Sequence, residues 1–365
     1  MTYRFKDICS HFDIYGDFII SYPFGTGHIN DTFCVVFNQC GTRVRYTLQR
    51  INHHIFKQPE LLMENIYRVT EYLSHKNIGK DRSRHCLHLA KSDGGKPYYK
   101  DEYGNFWRMY YFVEDARTYD IIENDDQAYQ AARAFGKFQG DLVAIPGKRL
   151  HETIPDFHNT PMRLKNLKMS IAADKMNRAK DVQKEIDFVL AHEKDAAVLT
   201  DLQKSGDIPE RITHNDTKLN NILIDDRTGE GICVIDLDTV MPGLAHYDFG
   251  DMVRTGTSPA AEDETDLSKV GMQFNRFEAL LKGYLSTMDG VLNKTEKKLL
   301  PFAGKLITFE IGIRFLTDYL DGDTYFKVHR AGHNLDRART QFKLVTSIEE
   351  QFDSMQKLVD DVPLS

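Results

Sequence analysis

The sequence predicts an α+β fold with two lobes, a small lobe of antiparallel strands and a larger, mainly helical lobe. Three observations lead to this prediction. The 365 residues suffice for two lobes that each bury a core. β-Branched and aromatic runs dominate the first 115 residues, and long segments with helical spacing of apolar residues follow. We therefore expect one lobe at residues 1–115 and another at 116–365, with ligands bound in the cleft that two lobes imply.

The small lobe combines several predicted strands with a single helix. Residues 44–50 show the clearest strand pattern, because apolar and polar side chains alternate along them. Pro59 stands where the first turn of a helix tolerates proline, and Leu62 and Ile66 begin an apolar stripe. That helix is predicted over 60–73. The predicted strands are 18–22, 32–37, 44–50, 97–100 and 106–113.

Helices dominate the predicted large lobe. Asn124 and Gln127 have the spacing of a capping box, and the apolar residues after them recur at helical intervals as far as Leu142. One segment departs from this pattern, because two short apolar strands at 221–224 and 231–235 flank a turn. The sequence therefore predicts one β-hairpin within the helical lobe.

Composition and charge exclude several classes of protein. The net charge of −7 argues against nucleic acid as a partner, since phosphate backbones are bound by basic surfaces. No stretch has the length of a membrane span, and no signal peptide is apparent in the first residues. The five cysteines are scattered without a C-x-x-C pair, as free thiols are. We expect a cytoplasmic protein that binds neither nucleic acid nor a membrane; its oligomeric state is not predicted.

Residues 212–224 carry the most informative chemical pattern. Asp216, Lys218 and Asn221 lie in a predicted loop just before a strand, and the hairpin then delivers Asp236 at the end of an apolar strand. Phosphoryl transfer needs a carboxylate that accepts a hydroxyl proton, oxygen ligands for Mg²⁺, and a cation for the transferred charge. These four side chains supply those groups. In the alternative interpretation they are ordinary turn residues and a strand terminator.

The pattern H-x-D-x-x-x-x-N, formed by His214, Asp216 and Asn221 and followed by the hairpin and Ile-Asp, resembles the aminoglycoside phosphotransferase/choline kinase family. That family has the two-lobed protein-kinase-like fold. More narrowly, three segments resemble the bacterial N-acetylhexosamine 1-kinases, namely 25–32, 214–221 and 235–239.

This resemblance implies ATP and Mg²⁺ as cofactors, with the nucleotide in the N-terminal lobe and catalysis and substrate binding in the C-terminal lobe. Asp216 would be the catalytic base, and Lys218 would lie near the γ-phosphate and the sugar. Asn221 and Asp236 would bind Mg²⁺, and His214 would have a structural role at the site.

Asp248 begins the tripeptide Asp-Phe-Gly, which binds magnesium in protein kinases. It follows a loop that contains Pro242 and Gly243, whereas Asp236 follows an apolar strand. We therefore interpret Asp248 as a structural carboxylate that hydrogen-bonds the backbone of the catalytic loop, which is how the family uses an aspartate at this place.

Gly25 and Gly27 lie in the loop between the first two predicted strands. Glycines let backbone N–H groups approach a phosphate, which is the interpretation that this position favours over a simple turn. His28 follows them. It is either a substrate-binding residue or a surface histidine.

The third strand departs from the protein-kinase pattern. Protein kinases hold the α- and β-phosphates with a lysine there, and Gln49 stands at the best-matching register. Either Gln49 makes a weaker contact or Arg50 takes the role after a register shift; adjacent residues face opposite sides, so both cannot serve. Glu64 is the candidate partner, with a solvated helix carboxylate as the alternative. We expect the hinge beside the adenine around Phe112 and Glu114.

Arg314 lies in an apolar helical stretch. On the residues alone it could form an i,i+4 pair with Glu310 or Asp318. The resemblance instead places Arg314 and Tyr325 in the sugar pocket. An arginine there suits hydroxyl and carbonyl acceptors and would repel choline or a polycationic aminoglycoside.

The function expected from these residues is ATP-dependent phosphorylation of the anomeric hydroxyl of an N-acetylhexosamine. A kinase for choline, ethanolamine, homoserine or an aminoglycoside is the alternative within the class. A catalytically silent nucleotide-binding scaffold is the alternative outside it, since the third strand lacks its lysine.

Overall fold

The structure is a computed structural model that describes residues 3–25, 29–76 and 81–362. It confirms the α+β class, with an antiparallel sheet toward the N-terminus and helices toward the C-terminus. The strands are β1 (Asp17–Pro23), β2 (Asp31–Gln39), β3 (Thr42–Ile51), β4 (Leu89–Ala90), β5 (Tyr99–Lys100), β6 (Phe106–Tyr111), β7 (Ala116–Arg117), β8 (Arg211–Thr213), β9 (Ile222–Asp225), β10 (Gly231–Val234) and β11 (Met241–Gly243).

The helices of the described chain follow the same order. They are α1 (Phe5–Cys9), α2 (Pro59–Lys76), α3 (Arg82–His85), α4 (Asp125–Leu142), α5 (Thr160–Ala173), α6 (Gln183–Ala191), α7 (Val198–Ser205), α8 (Ala245–Gly256), α9 (Phe274–Met288), α10 (Lys294–Lys298), α11 (Leu300–Asp321), α12 (His333–Glu350) and α13 (Phe352–Asp360).

The chain forms two compact units. Unit 1 comprises the described residues of Met1–Arg117 together with two later segments, Asp141–Ile154 and Leu223–Met241. Unit 2 comprises the described residues of Thr118–Gly140, Pro155–Ile222 and Pro242–Ser365. The predicted β-hairpin therefore packs with unit 1, although it lies far beyond residue 116 in the sequence.

An antiparallel sheet is the centre of unit 1, with the strand order β1-β2-β3-β6-β4 and β5 paired to β6. Thr32 lies opposite Gln49, and Gln49 lies opposite Arg108. Because side chains alternate along a strand, these three share one face of the sheet. The other face carries Leu48 and Trp107, which are fully buried in a core with α1.

Helix α2 confirms the predicted helix and extends it by three residues to Lys76, where the basic last turn suits the negative end of the helix dipole. Three predicted strands are shorter in the structure, namely those that form β5, β6 and β10. The strand expected at 97–100 is reduced to β5, since Pro97 has no N–H for a ladder. Strand β4 was not predicted, because two residues are too few to show alternation.

The hairpin of β9 and β10 is confirmed, and β7 pairs with β9, the middle strand of this three-stranded sheet. Asp225 at the end of β9 accepts hydrogen bonds from the backbone N–H groups of Arg227 and Thr228, at 2.9 and 2.7 Å. This turn chemistry is what the aspartate at the start of the turn supplies.

Helices α8 and α11 cross closely in unit 2. A Cβ atom on Gly250 of α8 would lie 2.5 Å from the carbonyl oxygen of Ala303, and one on Gly304 of α11 would lie 2.7 Å from Val253 Cγ1. Glycine at both positions is therefore required for this approach, which places the first turns of α8 in the protein interior. Within the described residues, no helix is both long and apolar enough to cross a membrane.

Candidate active site

The predicted catalytic loop runs from the end of β8 to the start of β9. Asn215 in this loop has a left-handed backbone with φ of 65°, a conformation that asparagine tolerates better than most residues. The loop then closes in a short 3₁₀ turn, Leu219–Asn221, in which the Asn221 N–H donates to the carbonyl of Lys218 at 2.9 Å. The turn brings the side chain of Asn221 back toward Asp216.

Asp248, in the first turn of α8, holds the beginning of this loop. Its Oδ2 accepts the N–H of His214 at 2.9 Å, and its Oδ1 accepts the N–H of Asn215 at 2.7 Å. Gln139 Nε2 donates to the same carboxylate at 2.9 Å. Burial raises the pKa of Asp248, and the two backbone donors oppose that shift. These contacts are those of a structural carboxylate, which is the interpretation that the sequence favoured.

Asp251, one turn farther along α8, holds the next part of the loop and was missed by the sequence analysis. Its Oδ2 accepts the N–H of Thr217 at 2.8 Å, and its Oδ1 accepts Arg254 Nε at 2.8 Å. Arg254 also donates to Glu262 at 2.8 Å. The i,i+3 spacing from Asp248 was the available sequence signal, since it places both carboxylates on one helix face.

Asp216 lies between a cation and an amide. Lys218 Nζ is 2.7 Å from its Oδ1, and Asn221 Nδ2 donates to its Oδ2 at 3.0 Å and to its carbonyl at 2.8 Å. Burial opposes ionisation, but the Lys218 ammonium, His214 and the Asn221 amide together more than offset it, so the pKa of Asp216 lies below its ordinary value. The carboxylate in turn raises the pKa of Lys218. The loop thus presents an ionised carboxylate with an attached cation.

His214 is fully buried and serves the loop from inside. Its ring packs edge-on against Phe135 and Phe138, with centroids 5.3 and 5.9 Å away, and its Nδ1 accepts the N–H of Asp216 at 3.3 Å. These contacts agree with the structural role expected for this histidine.

A pocket of about 180 Å³ in unit 2 contains Arg314 and Tyr325, the two residues expected at the sugar. The Arg314 guanidinium lies 5.3–5.9 Å from the ring centroids of Phe157, Tyr325 and Phe326. Arg163 lines the same pocket. Its buried Nε has no hydrogen-bond partner among the described atoms, and burial and the charge of Arg314 lower its pKa.

The i,i+4 alternative for Arg314 is not what the structure shows. Asp318 instead accepts the N–H groups of residues 324, 325 and 326 at 2.8–2.9 Å and so fixes the turn that carries Tyr325. Glu310 accepts Thr160 Oγ1 at 2.6 Å and lies 2.8 Å from His158 Nδ1.

His158 also connects α11 to the catalytic loop. Its Nε2 lies 3.4 Å from the carbonyl oxygen of Asn215, while its Nδ1 contacts Glu310, one helical turn before Arg314. A buried polar contact within unit 2 therefore joins α11, the helix that carries Arg314, to the loop of Asp216.

In unit 1, Asp236 lies two residues after the end of β10 and has a left-handed backbone, with φ of 56° and ψ of 62°. It precedes a short 3₁₀ turn, Leu237–Thr239. The strand context predicted for Asp236 is therefore present, and the turn that follows contains Asp238.

A buried polar network that the sequence analysis missed surrounds Asp238. Arg108 Nη1 donates to Asp238 Oδ1, and Asn30 Nδ2 donates to Asp238 Oδ2 at 2.5 Å. Gln49 Oε1 accepts Arg108 Nε at 2.9 Å, and Gln49 Nε2 donates to Thr32 Oγ1 at 3.0 Å. No sequence pattern marks Arg108, because its position depends on the register between β3 and β6.

The register also decides between Gln49 and Arg50. Arg50 lies on the opposite face and pairs with Asp31 at 2.7 Å, so no register shift brings it to the position of Gln49. Glu64 pairs with His151 at 3.1 Å, whereas the contacts of Gln49 are with Thr32 and Arg108. The expected partnership of Gln49 and Glu64 is therefore replaced by one between Gln49 and Arg108.

Two backbone groups at the expected hinge are already bonded. The Phe112 N–H donates to the carbonyl of Arg45 at 3.3 Å, and the carbonyl of Glu114 accepts Arg84 Nε at 3.0 Å. The Glu114 carboxylate pairs with Arg45, whose guanidinium lies 4.0 Å from the Phe112 ring centroid. The side chains of Phe112 and Glu114 thus support the hinge.

The glycine loop lies only partly within the described residues. Gly25 has the left-handed φ of 80° that glycine allows without strain. Gly27 and His28 lie outside the described residues.

A family model described as "Phosphotransferase enzyme family" matches residues 23–273, which is more than half of the chain. The match spans the glycine loop, the catalytic loop and α8.

Solved structures of similar fold belong to small-molecule kinases. One is an aminoglycoside phosphotransferase from Alicyclobacillus acidocaldarius, with 11% identity, a TM-score of 0.59 and coverage of 98% of this chain and 96% of that one. Another is a choline kinase from Cryptosporidium parvum, with 14% identity, a TM-score of 0.56 and coverage of 98% of both chains. A microcompartment-associated aminopropanol kinase has 14% identity and a TM-score of 0.53, and covers 96% of this chain and 97% of that one. At these identities the likeness shows the protein-kinase-like fold.

Proposed function

The chain belongs to the phosphotransferase enzyme family, and from this premise we propose that it transfers the γ-phosphoryl group of ATP to the anomeric hydroxyl of an N-acetylhexosamine. The products are the sugar 1-phosphate and ADP. The observation that carries the proposal is the ionised carboxylate of Asp216, held between the Lys218 ammonium and the Asn221 amide. This is a base with a cation beside it, which is what transfer to a hydroxyl requires.

Asp216 accepts the proton of the sugar hydroxyl. Its lowered pKa makes it a weak base that is ionised at neutral pH. An anomeric hydroxyl is more acidic than an ordinary alcohol, so a weak carboxylate base suits it. As the bond from the sugar oxygen to the γ-phosphorus forms, the bond from that phosphorus to the β-phosphate oxygen breaks. The electron pair leaves on ADP, and the hydroxyl proton remains on Asp216 until solvent removes it.

Lys218 supplies positive charge where the phosphoryl group moves. In this structure its ammonium contacts Asp216, and 44% of the side chain is exposed. The exposed stem lets the ammonium follow the phosphoryl oxygens while the loop backbone stays fixed by Asp248 and Asp251. A cation that contacts the transferred group stabilises the charge that develops on it in the transition state.

Asn221 and Asp236 have the donor chemistry that Mg²⁺ requires. The amide nitrogen of Asn221 is used by Asp216, which leaves its carbonyl oxygen for a cation, and Asp236 offers a carboxylate. Within the described part of the chain, no group of three or more His, Cys, Asp or Glu side chains could hold a metal. Mg²⁺ is commonly bound by one or two carboxylates and by substrate phosphates. When bound, the ion would withdraw negative charge from the phosphate oxygens.

The acceptor pocket supports a neutral polar substrate. Its guanidinium groups, on Arg163 and Arg314, suit the hydroxyl and carbonyl oxygens of an acetylated sugar and repel a cationic amine. Tyr325 is 66% exposed beside them and offers a ring face for the sugar. Choline-type substrates need aromatic faces without adjacent cations. Asp318 and Asp321 also line the pocket, but Asp318 accepts backbone N–H groups and Asp321 lies 3.8 Å from Lys175. The two arginines therefore favour the sugar over choline or an aminoglycoside.

Val113 is the residue that we assign to the adenine edge. The neighbouring hinge groups, Phe112 N–H and Glu114 C=O, are bonded within the protein. Among the described hydrogen bonds, none uses the backbone N–H or C=O of Val113. These two groups therefore remain for one donor and one acceptor of a base.

The test is ADP release from ATP and Mg²⁺ with a panel of acceptors, followed by phosphorus NMR of the product. N-acetylglucosamine or N-acetylgalactosamine should give a phosphate on carbon 1. Their 1-O-methyl glycosides are the matched controls and should not react, because the attacking oxygen is blocked. A phosphate on carbon 6, or turnover only with choline or amino alcohols, would overturn the sugar 1-kinase assignment. ATP binding without transfer to any acceptor would favour a silent scaffold.

A further inference from the structure

Arg108 occupies a central position on the polar face of the sheet in unit 1. It lies opposite Gln49, the residue that stands where protein kinases have a lysine, and its Nε donates to the Gln49 side chain at 2.9 Å. Thr32 continues the row on the next strand and accepts from the other end of the same amide. Gln49 therefore orients an arginine from the neighbouring strand.

The burial of Arg108 requires an explanation. The side chain is 1% exposed, and its charge is balanced by Asp238, which is 4% exposed. Burying an ion pair of this kind contributes little net stability compared with apolar residues of the same shape, because both ions lose their hydration. A gain in stability therefore does not explain why the chain has a buried ion pair here, whereas a function would explain it. Asn30 holds the second oxygen of Asp238, so the pair is fixed in one orientation.

Arg108 has more hydrogen-bond donors than its protein contacts use. A guanidinium carries five N–H groups. The contacts of Arg108 among the described residues use Nε for Gln49 and Nη1 for Asp238, and none of them uses Nη2. The Nη2 N–H groups are therefore unused among these contacts, and Asp236 is a further carboxylate near the guanidinium. Two or more donors in one plane are the geometry that phosphate oxygens accept.

Tyr110 gives an independent indication of a missing ligand. It is two residues from Arg108 on the same face of β6, and its ring centroid lies 5.5 Å from the Arg108 guanidinium carbon. Its hydroxyl is buried and has no hydrogen-bond partner in the described structure. A buried hydroxyl without a partner is destabilising, so its retention beside a cation with unused donors points to a polar ligand at this place.

We infer that Arg108 is the nucleotide-phosphate ligand of unit 1, with its Nη2 donating to α- or β-phosphate oxygens while Asp238 and Gln49 hold the guanidinium in place. The phosphate-binding cation is thus on the strand next to the third strand, whereas protein kinases have it on the third strand itself. Gln49 orients Arg108 and does not bind the phosphate. This inference rests on the proposed function for the identity of the nucleotide. It resolves the departure at Gln49 without invoking a silent scaffold.

The experiment compares the binding of ATP, ADP and adenosine by calorimetry, without an acceptor. Replacing Arg108 alone leaves Asp238 buried and unpaired, so the test uses the double variant Arg108→Gln with Asp238→Asn, which keeps two hydrogen-bonding amides. We expect its Kd for ATP and ADP to rise roughly tenfold to a hundredfold, as for a lost charge-assisted contact, with adenosine affinity unchanged. The matched control is Arg50→Gln with Asp31→Asn, the partly buried pair on the opposite face, which should bind all three ligands like the parent.

A rescue variant separates a phosphate contact from a structural role. Gln49→Lys, added to the double variant Arg108→Gln with Asp238→Asn, returns the cation to the third strand, where it still lies opposite position 108. We expect it to recover most of the ATP affinity. Unchanged ATP affinity in the double variant, or an equal loss for ATP and adenosine, would overturn the inference. If ATP binding depends on Arg108 but no acceptor is phosphorylated, the result would count against the proposed function alone. A parent protein that binds no nucleotide would overturn both.

Discussion

The ammonium of Lys218 lies 2.7 Å from the carboxylate of Asp216, two residues away in the same loop. Both side chains reach solvent, since 44% of Lys218 and 28% of Asp216 are exposed. The backbone on either side of Asp216 is fixed by carboxylates of α8. The pair therefore keeps its position while it remains accessible to a reactant, and the first two predictions follow from that combination.

Asp216→Asn should lower turnover by at least roughly a hundredfold, because the amide cannot accept the hydroxyl proton. Affinity for ATP should stay near that of the parent, and so should the melting temperature, since an amide preserves the contact with Asn221. Steady-state kinetics and nucleotide titration check this prediction. Asp201→Asn, on the exposed face of α7, is the control and should be indistinguishable from the parent. Retention of most of the turnover would remove Asp216 from the role of base.

The acid limb of the pH profile should depend on Lys218. The lowered pKa of Asp216 means that kcat/KM of the parent should fall only as the pH drops toward or below about 3.9, the ordinary value for aspartate. Lys218→Met removes the cation that depresses this pKa, while burial, which raises it, remains. The limb should then move to higher pH. Lys218→Arg keeps the charge, so its limb should stay in place; identical limbs in all three proteins would contradict the assignment.

Variants of the two candidate magnesium carboxylates, Asp236 and Asp248, should have different effects on turnover and on stability. Asp236→Asn should lower turnover by roughly a hundredfold or more and raise the Mg²⁺ requirement with little change in melting temperature, because asparagine also tolerates the left-handed backbone. Asp248→Ala should instead lower the free energy of unfolding by about 2–4 kcal/mol, since it leaves two buried N–H groups without an acceptor. Mg²⁺ titrations and melting curves compare the variants. The reverse pattern would make Asp248 the metal ligand.

Arg314→Ala should raise the KM for the sugar roughly tenfold and leave the KM for ATP nearly unchanged, because the pocket of Arg314 belongs to the acceptor in our proposal. Arg339→Ala is the matched control in unit 2, since Arg339 pairs with Glu185 on α6 and is absent from that pocket. Equal increases in the two KM values would argue against an acceptor role. A rise in the KM for ATP alone would assign the pocket to the nucleotide.

The crossing of α8 and α11 should tolerate no methyl group. Gly250→Ala would place a Cβ atom 2.5 Å from the Ala303 carbonyl oxygen, so the helices must separate, and we expect a loss of roughly 1–3 kcal/mol in the free energy of unfolding. Gly290→Ala is the control, because a Cβ atom there would meet nothing within 4 Å beyond its own chain neighbours, and the change should be neutral or slightly stabilising. Denaturant unfolding measures both. A neutral Gly250→Ala variant would mean that the two helices adjust without cost.

Sequence patterns predicted the parts of the site that lie close together along the chain. Asp216, Lys218 and Asn221 are within one turn of loop, so their spacing alone brings the side chains into contact. The structural role of Asp248 was predicted from its context after a proline-glycine loop. Strand and helix types were predicted wherever the apolar period was long, as in α2 and β3.

The contacts that sequence missed connect residues distant in the chain. Arg108 meets Gln49 and Asp238 because two strand registers and a hairpin bring them together, and no local pattern encodes a register. Asp251 was missed for a different reason. Its helix is buried almost throughout, including the side that carries its charged residues. The sequence pattern therefore could not show that this carboxylate lies in the interior. Arg108 and Asp251 are both charged, and the role of each is evident from its contacts in the structure and not from the residues next to it in sequence.

The carboxylates of α8 determine which segments of the chain lose conformational entropy when a ligand binds. The amide hydrogens of His214, Asn215 and Thr217 are bonded to Asp248 and Asp251 within the protein itself. They are therefore shielded from exchange with solvent deuterium before any substrate arrives, and substrate binding adds little further protection to them. The ordering that accompanies binding must fall on other segments, and the catalytic loop acts as a prearranged template on which the reactants are aligned.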